Sequence, residues 1–161
     1  MKTASEISTA KEHKRLFIGG MFMFLTFATT CFAQEIRDWQ GSGGWGMVTP
    51  YSKMFDSRAV ETIRGEVLAI EKIIPLKGMS CGVQLVVRTE TDTIAVHLGP
   101  EWFMENQDMQ IERQDIIEVK GSRITFNGQA IIIAAEILRR TEILRLRNNI
   151  GLPAWIAWRR R

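Results

Sequence analysis

Between Val83 and Leu98 apolar and polar positions alternate. Val83, Leu85 and Val87 fall opposite Gln84, Val86 and Arg88, and Ile94, Val96 and Leu98 fall opposite Thr93, Ala95 and His97. Alternation with period two over six residues predicts a half-buried strand. Thr89-Glu90-Thr91-Asp92 between the two runs supplies turn chemistry. Upstream, VETIRGEVLAIEKII (60–74) is rich in β-branched residues, with Gly65 in its interior. A glycine inside a strand marks a bulge or bend, so this stretch predicts one long, bent first strand. Ile63, Val67 and Ile70 also share a helical spacing, but Gly65 and five β-branched residues weigh towards strand.

PLKGMSCG (75–82) reads as a loop. Pro100 suits the first position of a short helix carrying Trp102, Phe103 and Met104, with Glu101 in the favourable first turn. Asn106-Gln107-Asp108 ends that pattern. A fourth strand is expected over Ile116–Phe126 with an interruption at Gly121-Ser122. Asn127-Gly128 is the strongest hairpin signal in the chain. A fifth strand runs from Gln129 to Arg139 or Arg140, and a short last one over Ile143–Arg147. A helix over Ala134–Arg147 is the competing reading.

Five to six strands, the first long and bent, with one short helix between the third and fourth, predict an all-β fold. The pattern is that of a small barrel like the oligonucleotide/oligosaccharide-binding (OB) fold. The helix of such a barrel covers its open bottom, and Trp102, Phe103 and Met104 are the residues expected to plug it.

The ends of the chain differ from its middle. The net charge is +3; residues 1–33 carry +2 and residues 139–161, with seven arginines against Glu142, carry +6, so residues 34–138 are left at −5. The high isoelectric point is thus a property of the termini, and a general affinity for nucleic acid does not follow from it. Lys14 and Arg15 precede an apolar run from Leu16 to about Thr30, and small residues before Ala33 fit a signal peptidase cut after that residue. An uncleaved membrane anchor is the alternative, and a lipidated Cys31 a weaker third. Each places the domain beyond the membrane, in the periplasm or otherwise exported. Cleavage would remove Cys31 and leave Cys81 as a lone, passive thiol. The expected organisation is a signal peptide (1–33), a glycine- and aromatic-rich extended arm (34–59), the barrel (60–147) and a Trp/Arg-rich tail (148–161).

Candidate chemistry is sparse. GSGGWG (41–46) follows no strand and opens no helix, so it lacks the setting of a phosphate loop. Carboxylates are scattered, and no nucleophile, base and acid share a recognisable arrangement, so no enzyme is expected and no catalytic residue is assigned. Met79, Cys81 and His97 form the one metal-like grouping, whose thioether, thiolate and imidazole would suit copper(I). No other cofactor is implied. Trp45 on the arm, His97, and the tail residues Trp155, Trp158, Arg159 and Arg160 are the candidate contacts. Tryptophan beside arginine suits an envelope protein or an anionic membrane surface. Nucleic acid, which such a cluster could also grip, is a scarce ligand outside the cytoplasm.

The run GEVLAIEKIIPLKGMSCGVQLVVRTETDTIAVHLGPEWFMENQ, then DIIEVKGSRITFNGQAIIIAAEI and LRLRNNIGLPAW, resembles the C-terminal domain of the MamS/MamX family of magnetosome proteins. The similarity extends from Val60 to Trp158, and HLGPEWF with GSRITFNG is its most specific part. Related exported bacterial proteins are of unknown function. Some relatives carry haem-attachment C-x-x-C-H motifs. This chain has none, so the electron-transfer role those motifs imply is not transferred to it. The resulting expectation is an exported, non-enzymatic binding or scaffolding module of the cell envelope, with a copper-binding or redox-accessory protein as the alternative.

Overall fold

The computed structural model of the chain describes residues 42–157. The export signal, its cleavage point and the last residues, Trp158 to Arg161, lie outside the described residues. Among the described residues no helix is long and apolar enough to cross a membrane.

Six strands and one short helix form the fold: β1 (Val60–Ile73), β2 (Gly82–Arg88), β3 (Thr93–Pro100), α1 (Glu101–Met104), β4 (Ile116–Phe126), β5 (Gln129–Arg139) and β6 (Glu142–Arg145). The stretch over Ala134–Arg147 is not a helix: it holds the end of β5, a turn and β6. The strands lie in the order β3-β2-β1-β4-β5-β6, and β3 also pairs with β5, which closes the sheet into a ring. All pairings are antiparallel except the closing one, a parallel match of Ala95, Val96 and His97 to Ile131, Ile132 and Ile133.

β1 serves both sides of the ring. Its first half pairs with β4 and its second half with β2, the handover falling at Glu66. Gly65 lies at that corner. A Cβ there would stand 2.4 Å from the carbonyl oxygen of Arg88, so only glycine lets the end of β2 approach so closely. A register shift at Lys120/Gly121 bends β4 in the same way against β5. Asn127 and Gly128 both have positive φ, as the two-residue hairpin turn between these strands requires.

The inward positions of the strands make the core: Val67, Leu85, Val87, Ile94, Val96, Ile117, Val119, Ile132 and Ile137 are all buried. Of the three expected plug residues, Phe103 is buried, while Trp102 and Met104 are partly buried against the core. Full burial of one such aromatic contributes about 1.5–3 kcal/mol.

The arm departs from expectation. Residues 42–51 are a series of turns rather than an extended strand, followed by 3-10 turns at Ser52–Met54 and Ser57–Ala59. Trp45 and Tyr51 are core residues. Glycines 43 and 44, at positive φ, supply the tight path, and Gly43 accepts from the backbone N–H of Ser80 at 2.8 Å. Large aromatics in a glycine-rich segment signal packing, and here the packing is complete.

Candidate functional site

Two glycines at the ends of neighbouring strands open room for two tryptophans. A Cβ on Gly82 would meet the Trp45 ring at 2.2 Å, and one on Gly99 would meet the Trp155 ring at 2.7 Å. Val83 and Gly99 are paired across β2 and β3, so the two rings sit side by side at one place on the ring of strands. They pack edge to face with centroids 6.3 Å apart, and Trp155 Nε1 donates to the carbonyl oxygen of Trp45 at 2.8 Å. Trp45 Nε1 donates to Ser80 O at 3.1 Å. Phe55 of the arm touches Gly151 of the C-terminal segment at a second point. The arm and the C-terminal segment thus form one clasp over the end of β3.

His97 lies beneath this clasp. The alternation of β3 assigns it to the outward face, and it does point away from the ring interior, but the arm covers that face. Its exposure is 3%. Tyr51 stacks on its ring, with Tyr51 Oη 2.9 Å from His97 Nδ1, and Phe126 meets it edge-on. Burial, and then the nearby Arg147 charge, lower the His97 pKa to about 4. The imidazole is therefore neutral at neutral pH, which removes it as a sensor in the ordinary range. Burial also pushes the Tyr51 hydroxyl above its usual range.

Arg147 closes the cluster. Its Nη1 donates to Leu98 O at 2.8 Å and also to Ala134 O, and its guanidinium lies 4.8 Å from the centre of the Trp155 ring. It thereby ties β3, β5 and the C-terminal segment together. Burial lowers its pKa to about 10, so it keeps its charge. Nothing in the alternation of Ile143–Arg147 distinguishes this arginine from its exposed neighbour Arg145. The signal that could have marked it is the cluster of aromatics in the arm and tail, which needs a polar partner to cross.

The sequence-derived metal grouping is divided by this arrangement. Met79 is buried and packs on Gly44, and His97 Nδ1 is engaged by Tyr51. Cys81 is not the lone thiol expected after cleavage: it is disulfide-bonded. A thioether–thiolate–imidazole site would need both of those partners released first. Among the described residues no three His, Cys, Asp or Glu side chains group around a common point. Of the other candidate contacts, Trp45 and Trp155 are buried, at 1% and 3% exposure, and hold the clasp to the ring. Trp158, Arg159 and Arg160 lie outside the described residues.

The clasp presents a different set of side chains to solvent. Met47 (54% exposed) and Val48 (79%) project from the arm, and Ile150 (78%) and Ile156 (42%) from the C-terminal segment. Beside Arg147 opens a cleft of about 230 Å³, formed where the turn before β1, the bend of β4 and the turn after β6 meet.

A family model described as the MamS/MamX magnetosome protein family matches residues 59–144, more than half of the chain. The match contains the ring of strands and His97, while most of the clasp, with Trp45, Tyr51, Arg147 and Trp155, falls on either side of it. No curated protein matches the chain.

Proposed function

The chain belongs to the MamS/MamX magnetosome protein family, and from that premise we propose that it is an exported, non-enzymatic scaffolding module that binds a protein of the cell envelope. Membership fits a magnetosome-associated module. The observation that supports a binding role is the clasp: its anchors, Trp45, Tyr51 and Trp155, are spent on packing, while Met47, Val48 and Ile150 are held out in water. Loops fixed on a rigid scaffold are where proteins place contact residues. Large apolar side chains exposed on such loops favour a protein partner. The arginines that follow at 159–161 would add charge steering to the same end of the chain.

The reading is tested by the paired substitution Val48→Asp, Ile150→Asp in the full-length tagged chain, with Lys77→Glu on the loop before β2 as the control. Both sites are exposed, so the melting temperature should stay within about 3 °C of the parent. Recovery of the envelope partner is expected to fall about tenfold or more in the paired variant and to hold in the control. Unchanged recovery in the paired variant would overturn the reading. Loss of liposome binding in place of protein recovery would move it to a membrane surface.

A further inference from the structure

Arg147 is a cation in a place that water hardly reaches. It keeps 8% of its surface, and its visible compensation is two backbone carbonyls and the face of Trp155. Among the described residues no carboxylate forms an ion pair with it. Burying a guanidinium without an anion leaves a penalty that carbonyls and a ring face offset only in part. The cleft of about 230 Å³ beside it is lined by Ser57, Lys120, Glu136, Asn148 and Asn149 among others. Glu136, the one carboxylate of that lining, lies 3.4 Å from Arg145 Nε and so already has a cation of its own. Asn148 is occupied too, its Oδ1 accepting from the backbone N–H groups of Ile150 and Leu152. Ser57, Lys120, Asn148 and Asn149 are the exposed members of the lining.

We propose that this cleft takes a carboxylate, an acidic side chain of the protein partner, between Lys120 and Arg147. The planar guanidinium matches the shape of a carboxylate. Glu136 is taken by Arg145, so Lys120 and Arg147 are the charges left to meet an anion, and the protein-binding reading makes that anion a side-chain carboxylate. The proposal rests on the protein-binding reading above and names the chemistry of the partner.

Calorimetric titration of the full chain in detergent with a hexaglutamate peptide, and separately with inorganic phosphate, tests it. Hexaglutamate should bind more tightly than phosphate. Lys120→Glu, at an exposed position, should weaken it about tenfold or more, and Lys77→Glu about twofold or less. Arg147→Lys, which keeps the charge and loses the planar fork, should also weaken it. Failure of hexaglutamate to bind, tighter binding of phosphate, or equal loss in Lys120→Glu and Lys77→Glu would overturn the proposal. If the cleft fails while Val48→Asp, Ile150→Asp still loses the partner, only the carboxylate assignment falls and the protein-binding reading stands.

Discussion

His97 shows how burial decides what a side chain can do. An imidazole on the outward face of a strand reads as a contact or a ligand, yet under Tyr51 it has become a neutral hydrogen-bonding partner. Its lowered pKa has a consequence for stability. Between the ordinary value of 6.5 and about 4 the unfolded chain binds a proton at this residue and the folded chain does not. Stability from this group is therefore full above pH 6.5 and is lost as the pH falls through that window. From pH 7 to pH 5 the loss is about 2 kcal/mol. His97→Gln, which can still bond Tyr51, should remove that part of the acid sensitivity. Urea midpoints of both proteins at pH 7 and pH 5 check it; an equal fall in the two would show that His97 does not carry the charge burial assigned to it.

At the level of elements, the clasp is where the sequence was hardest to read. Gly82 and Gly99 look like strand ends, and Trp45 and Trp155 are 110 positions apart, so no local pattern links them. Only the closed ring brings the two glycines together and makes sockets of them. The strands were legible because their signals are local: alternation in β2 and β3, Asn127-Gly128 between β4 and β5, and Gly65 at the bend of β1. Cys81 illustrates a limit of another kind. Its bonding depends on a second cysteine, and the sequence holds only Cys31 besides. Alkylation of the native protein should leave Cys81 unmodified until a reductant is added. Labelling without reductant would show a free thiol and restore the lone-cysteine expectation.

At the largest scale, the family match over residues 59–144 and the ring of strands cover the same stretch of the chain. The segments flanking that span complete the fold and carry four of the large apolar side chains exposed among the described residues, Met47, Val48, Ile150 and Ile156; Ile70, Ile74, Ile116 and Ile143 lie within it. A MamS/MamX core completed by the clasp would offer a rigid scaffold on which a partner is met. The most direct measurement is photo-crosslinking in living cells, with a photoreactive residue placed at Val48 or Ile150 and, as a reference, at Glu90 in the turn between β2 and β3. Binding through the clasp predicts a discrete protein adduct from positions 48 and 150 and none from position 90. Equal yields from all three positions, or adducts to lipid alone, would contradict it.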